Sequence, residues 1–109
     1  MAEGLKQIKI KTGVVKRLTK EKGYYEQEAQ KEEERYNKMK GDGKDEYELR
    51  KQNEVIGESK AMIPDTKNRL IKARDDLRNV LESSESLAED AAYKEASKAI
   101  EEAGKVLEA

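Results

Sequence analysis

Residues 45–82 read DEYELRKQNEVIGESKAMIPDTKNRLIKARDDLRNVLE and carry the most regular apolar pattern in the chain. Apolar side chains recur at intervals of seven, at Leu49, Ile56, Ile63, Leu70 and Leu77. Companion positions three residues further on hold Thr66, Ala73 and Val80. Such spacing forms an apolar stripe along one side of an α-helix. Because the stripe persists over many turns, the helix is expected to pack lengthwise against other helices.

The composition limits what this stripe can pack against. The 109 residues are 43% charged and 35% hydrophobic, with no Trp, Phe, Cys or His, one Pro and a net charge of −1. A thick globular core is excluded, but long helices need only a narrow apolar seam. High charge is also typical of intrinsic disorder. The regular heptads argue against disorder, because a disordered chain has no reason to keep phase.

The residues that catalysis and metal binding commonly use are missing. Without His or Cys the chain lacks the usual general bases, nucleophiles and metal ligands, and it cannot form disulfides, which suits the cytosol. The segment GDGKDEYE lacks both the phosphate-loop spacing and the calcium-loop pattern. No stretch is apolar enough for a membrane span or signal peptide. We therefore predict no enzyme activity, no catalytic or metal residues, no cofactor and no membrane partner.

Residues 3–40 are predicted to form the first helix. One heptad column is interrupted by Lys22; its other members are Ile8, Val15, Ala29 and Tyr36. A second column is interrupted by Lys11 and Glu32; its other members are Leu18, Tyr25 and Met39. Gly13 and Gly23 weaken a helix interior by about 1 kcal/mol each relative to Ala. We expect them to let another helix come close.

Residues 41–45, GDGKD, predict a turn into the second helix, residues 45–82. Gly41 suits the left-handed residue that ends a helix, and Asp45 with Glu48 resembles a capping box. If the chain reverses here, the two seams lie at matching levels, with Ile8 facing Leu77. Further on, Pro64 is expected to kink the second helix, because it lacks a backbone donor and clashes with a preceding carbonyl.

Residues 83–86, SSES, predict the second turn, with Ser86 and Glu89 as a second capping box. The third helix is predicted over residues 87–107, with an apolar face that consists of Tyr93, Ala96, Ile100, Ala103 and Leu107. At 1.5 Å per residue it is only about 30 Å long, against roughly 55 Å for the others. It therefore covers half of the hairpin. The predicted fold is all-α: one domain, residues 1–109, forming an elongated, left-handed, coiled-coil-like antiparallel bundle in up-down-up order.

The charge is unevenly distributed. Residues 1–22 carry seven Lys/Arg and two Glu, whereas residues 82–109 carry three Lys and eight acids. Either the basic first helix and the acidic third helix attract each other, or the basic face of the first helix is free for an acidic partner. No aromatic is interleaved in KQIKIKTGVVKR, residues 6–17, so we predict no nucleic-acid partner. Ile10 and Val14 lie outside the seam, where they either pack on the third helix or form an exposed patch.

Three segments carry a family resemblance. Residues 7–18 read QIKIKTGVVKRL, residues 62–65 read MIPD, and residues 93–96 read YKEA. Together they closely resemble the tubulin-specific chaperone A (tubulin-folding cofactor A) family, and the resemblance runs from end to end. Three features depart from the family: Gly23, Gly57 and the GDGKD turn.

The resemblance implies a cytoplasmic, cytoskeleton-associated chaperone that acts without nucleotide. Such chaperones capture β-tubulin after it leaves the cytosolic chaperonin and pass it to later cofactors for assembly with α-tubulin. Since β-tubulin is acidic, the basic first helix is a plausible docking face. The predicted partner-binding residues are Lys9, Ile10, Val14, Lys16, Arg17 and Tyr24.

Two other interpretations of the heptads remain open. One is a structural spacer or scaffold module of the spectrin-repeat type, although such repeats usually come in tandem and carry a core Trp. The other is a coiled-coil oligomerisation module. The charges that interrupt the first helix's seam argue against a long homodimer, so we predict a monomer or a weak homodimer.

Overall fold

The computed structural model describes residues 2–108, which form three α-helices and no strand. Helix α1 spans Ala2–Gly41, α2 spans Glu46–Glu82, and α3 spans Ala91–Glu108. The rod measures 64 × 19 × 16 Å. The predicted all-α, three-helix fold is confirmed. The single domain predicted for residues 1–109 reaches one residue beyond the described range at each end.

The turn between α1 and α2 is closed by Gly43. Its φ of 76° is left-handed. Its N–H donates to the Lys40 carbonyl at 3.2 Å, and the next N–H, of Lys44, donates to the Met39 carbonyl at 3.1 Å. This pair of bonds is the Schellman motif, which places the left-handed residue two positions after the last helical one. The expectation that Gly41 would be left-handed is therefore wrong, since Gly41 is the last residue of α1.

Asp45 begins α2 as the sequence predicts. Its carboxylate accepts a hydrogen bond from the Glu48 backbone N–H at 2.9 Å. The predicted cap at Ser86 is wrong, because Glu85–Leu87 form a 3₁₀ turn. Instead the Asp90 carboxylate accepts from the Ala92 N–H at 2.9 Å. The 3₁₀ turn packs Leu87 against the core, so α3 begins four residues later than expected.

The core lies in the half of the rod where three helices meet. Its fully buried large side chains are Ile8, Val15, Leu70 and Leu77. Helix α3 contributes the buried alanines Ala96, Ala99 and Ala103. Its larger apolar side chains pack only partly buried around them. Alanines at the contact let α3 approach closely, because they add little volume between the helix axes.

Helix α3 runs parallel to α1 and covers only part of it. Lys16 of α1 pairs with Glu95, and Lys22 contacts the Val106 carbonyl at 3.3 Å. The remaining arm of the hairpin has two helices. Its interior includes a polar contact, in which the Gln52 amide donates to the carbonyl and to the carboxylate of Glu32, at 2.9 and 2.6 Å. Gln52 lies on the same face of α2 as Leu49 and Ile56, which are only partly buried.

Helix α2 continues through Pro64 without interruption, since the residues on both sides of it are α-helical. The kink there and the left-handed twist of the bundle stay predictions. The expectation for Gly13 and Gly23 is wrong: a Cβ at either position would meet no atom of a neighbouring helix within 4 Å. Neither glycine is needed for close packing of a neighbouring helix.

Candidate lysine groove

The six residues predicted to bind a partner lie on different sides of α1. Lys9 and Lys16 line the groove between α1 and α3. Ile10 and Val14 line a depression between α1 and α2. Arg17 is exposed, with Glu21 at 3.9 Å. Tyr24 is 57% exposed and meets the Tyr25 ring edge-on, at 5.5 Å between centroids. The structure therefore does not bring the six into one depression.

The surface between α1 and α3 carries three adjacent depressions, and Lys16 lines all three. We call it the lysine groove and define it by its five lysines, Lys9, Lys16, Lys20, Lys94 and Lys98. Glu95 and Glu102 also line it. The other lining residues are small: Thr12, Gly13, Thr19, Ala92 and Ala99. The lysines stand on both walls, so a ligand in the groove would meet positive charge from two helices.

Only part of this charge is neutralised within the groove. Lys16 pairs with Glu95, and this hydrogen bond, followed by the charge of the ammonium, lowers the pKa of the Glu95 carboxyl below its ordinary value. Lys94 pairs at 3.6 Å with Glu89, which lies outside the groove. Among the side chains of residues 3–108, Lys9, Lys20 and Lys98 have no carboxylate within 4 Å. The attraction expected between the basic α1 and the acidic α3 therefore reduces to one ion pair here, which leaves the groove cationic.

Ile10 and Val14 do not pack on α3, contrary to one of the two expectations for them. Val14 packs partly buried against the core, whereas Ile10 is 58% exposed. Ala73 and Asp76 of α2 form the other wall of their depression. These two side chains form a small apolar patch that is separate from the lysine groove.

Lys22, which interrupts the apolar column, is itself buried, with 5% of the residue exposed. Its ammonium pairs with Glu26 and donates to the Val106 carbonyl at 3.3 Å. Val106 lies in the last turn of α3, where carbonyl groups lack helical partners and the helix dipole attracts cations. Lys22 thus fixes the end of α3 against α1.

Sequence reasoning found Lys9 and Lys16 but not Lys20, Lys94 and Lys98. The third helix is acidic overall, and that net charge hid the position of its lysines. The available signal was their spacing: residues four apart lie on one helix face. The docking of α3 decides which helix lies beside that face, and the sequence of α3 alone does not show how it docks.

The described part of the chain contains neither a metal-binding cluster of carboxylates nor a membrane-spanning helix. No group of three or more Asp or Glu side chains within residues 2–108 is arranged to hold a metal ion. None of the three helices has a segment long and apolar enough to cross a bilayer. The lysines make the groove an exposed cationic surface, which attracts anions through charge.

Comparison with known proteins gives a consistent result. The model of the family described as tubulin binding cofactor A matches residues 3–100. Tubulin-specific chaperone A of Rattus norvegicus is 53% identical over 92 residues, which cover 84% of this chain and 85% of that protein. Tubulin folding cofactor A from Arabidopsis thaliana superposes with a TM-score of 0.89 at 36% identity, over 96% of this chain and 99% of that one.

A third similar structure is Rbl2p, described as a beta-tubulin binding post-chaperonin cofactor. It superposes with a TM-score of 0.83 at 33% identity, over 94% of this chain and 99% of that chain. Sequence and fold thus agree along nearly the whole molecule. The chain belongs to the tubulin binding cofactor A family.

Proposed function

We propose that this protein is a cytoplasmic tubulin-folding chaperone that captures β-tubulin after its release from the cytosolic chaperonin. It holds the client in a near-native form and passes it to later cofactors for assembly with α-tubulin. The role requires neither catalysis nor nucleotide. The observation that carries the proposal is the family match over residues 3–100, together with the likeness to Rbl2p, a beta-tubulin binding cofactor.

The physical character of the rod supports this role. Four large apolar side chains, Ile8, Val15, Leu70 and Leu77, are fully buried in a narrow core. The exposed ones are spread along α1 and α2, so the free protein presents little continuous apolar surface that would favour aggregation. Long charged helix faces remain accessible. Such a surface can hold an acidic client through many weak contacts and release it again, because each exposed ion pair contributes little alone.

The client is proposed to dock on α1, at the six predicted residues. Replacing Lys16 and Arg17 together by Glu should weaken β-tubulin binding, because two cations become anions. Lys16 also pairs with Glu95, so this variant could loosen α3. Lys9→Glu with Arg17→Glu makes the same charge change without touching that pair. Lys67→Glu with Lys72→Glu, at exposed positions of α2, is the matched control. Equal binding by all four proteins would refute docking on α1.

The function itself is tested by gel filtration with β-tubulin freshly released from chaperonin, without added nucleotide. We expect a one-to-one complex that excludes α-tubulin. The free chain run alongside tests the prediction of a monomer or weak homodimer. If a helical, correctly folded sample forms no complex, the chaperone proposal fails and the structural-spacer interpretation is favoured.

A further inference from the structure

The lysine groove is an open cationic surface between two helices, which the Lys16–Glu95 pair crosses and which offers further lysines on either side of that pair. We propose that it binds an extended acidic peptide segment of the client, which lies between α1 and α3. This inference rests on the proposed function and adds to it: docking would involve α3 as well as α1, and one particular side of α1. The patch formed by Ile10 and Val14 lies outside this groove.

The dimensions suit a short stretch of extended chain. From Lys9 to Lys20 the groove follows α1 for roughly 16 Å at 1.5 Å per residue. An extended peptide covers that distance in about five residues. The small residues between the walls, Thr12, Ala92 and Ala99 among them, leave room for a main chain. Gly13 adds to this space, since no atom of α3 lies within 4 Å of the position that a Cβ would occupy.

The charges select an acidic occupant. Five lysines face two glutamates, and one glutamate is already engaged by Lys16. Lys9, Lys20 and Lys98 have no carboxylate within 4 Å among the described side chains. Because they stand on both walls, an extended peptide whose carboxylates point alternately to either side can meet α1 and α3 together.

The groove offers ammonium groups rather than a backbone template. Both walls are α-helices, whose interior N–H groups are used within the helix. Recognition therefore depends on charge and should tolerate many acidic sequences. A single-stranded nucleic acid is the less favoured anion, because such sites combine cations with aromatic stacking platforms and no aromatic lines this groove.

Direct binding tests the groove without tubulin. A labelled peptide of alternating Glu and Gly should bind the wild-type chain, with an affinity that falls as salt rises. The same peptide with Gln in place of Glu should not bind. Lys94→Gln with Lys98→Gln should weaken binding about fivefold, since each exposed ion pair contributes modestly. Lys67→Gln with Lys72→Gln on α2, which removes equal charge, should change it less than twofold.

Circular dichroism shows whether each variant keeps its helices. Gln is chosen as the replacement because Glu would create repulsion beside Glu95. If the peptide did not bind, or if both double variants lost the same fraction of peptide affinity, the proposal that the groove binds an acidic peptide would be refuted. A single-stranded oligonucleotide of matched charge that competes better than the peptide would overturn the assignment to a peptide. Gel filtration with β-tubulin distinguishes the chaperone proposal from the groove proposal. If wild type and Lys94→Gln/Lys98→Gln capture β-tubulin equally, the chaperone proposal stands and the groove is not its binding site.

Discussion

The buried ammonium of Lys22 occupies a position that the heptad pattern would give to an apolar side chain. Its stem fills the seam of α1, and its Nζ reaches the Val106 carbonyl at the end of α3. We expect Lys22→Met to keep the packing but lose the hydrogen bond, at a cost of about 1 kcal/mol in the free energy of unfolding. Lys22→Ala should cost about 3 kcal/mol, because the buried stem is lost as well.

Urea denaturation measures both costs, and hydrogen exchange should show the last turn of α3 opening more often in Lys22→Met. Lys20→Met, at an exposed neighbouring position, is the control. Replacing a buried charge by an apolar side chain stabilises some proteins. If Lys22→Met were more stable than the wild type, the ammonium would not be what holds α3 at this end.

The pair of Lys16 and Glu95 makes a pH-dependent contact between α1 and α3. The hydrogen bond from Lys16, and then its charge, lower the pKa of Glu95 in the folded state. The folded protein therefore binds this proton less tightly than the unfolded chain does. The pair's contribution to stability is complete above the unfolded pKa and is lost as the pH falls through the lowered folded pKa.

The carboxyl carbon of Glu95, followed by NMR titration, gives the test. In Lys16→Met the pKa of Glu95 should rise towards its ordinary value, because the hydrogen bond and the main favourable charge are gone. Lys20→Met also removes a lysine from α1 but contacts no carboxylate, so it should leave that pKa nearly unchanged. If the pKa stayed depressed in Lys16→Met, the cause would be another group, such as Lys98.

At the level of elements, Pro64 lies inside α2, a helix of 37 residues that continues on both sides of it. Its ring cannot donate to the Lys60 carbonyl, and an interior proline costs a helix about 3 kcal/mol. We expect Pro64→Ala to raise the free energy of unfolding by about 2 kcal/mol. This gain is smaller than the full cost of an interior proline, because the native helix has adapted to the proline. Ala61→Ser, an exposed change one turn earlier, serves as a control for surface substitution.

Spin labels near the two ends of α2 would report whether the distance between them lengthens in Pro64→Ala, as it should if the proline kinks the helix. An unchanged distance together with a gain in stability would mean that the helix passes Pro64 without a kink. A loss of stability would show that the bundle depends on a bend at this position.

The ends of the elements show how far sequence could lead. Asp45 was predicted correctly because a side-chain cap depends on residues only three apart. The predictions that Gly41 is the left-handed residue and that Ser86 is an N-cap were wrong for a shared reason. Several residues near each turn could end or begin the helix, and hydrogen bonding and packing decided between them. Leu87 illustrates this, since its contact with the core delays the start of α3. The lysine groove could not be predicted either, because it exists only after α3 has docked on α1.

For the whole molecule, the helix lengths divide the rod into two unequal halves. Where α3 covers the hairpin, Ile8, Val15, Leu70 and Leu77 are fully buried. In the two-helix arm, residues 26–60, Leu49 and Ile56 are only partly buried. The sequence predicted this division, because the length of α3 follows from its local pattern and is about half that of the hairpin. The arm should therefore be the less stable part of the protein.

Hydrogen exchange under native conditions tests this division. Amides of residues 26–60 should exchange through local openings that cost less free energy than global unfolding, whereas those around Leu70 and Leu77 should exchange only with the whole fold. Leu70→Ala should cost about 3 kcal/mol and lower the protection of every helix, because it leaves a cavity among three of them. Ile56→Ala, at a partly buried site, should cost about 1 kcal/mol and affect mainly the arm. Equal protection along the rod, or equal effects of both variants, would show that the arm and the core half unfold as one unit. The core would then support the two-helix arm through the continuous helices rather than through contacts within the arm itself.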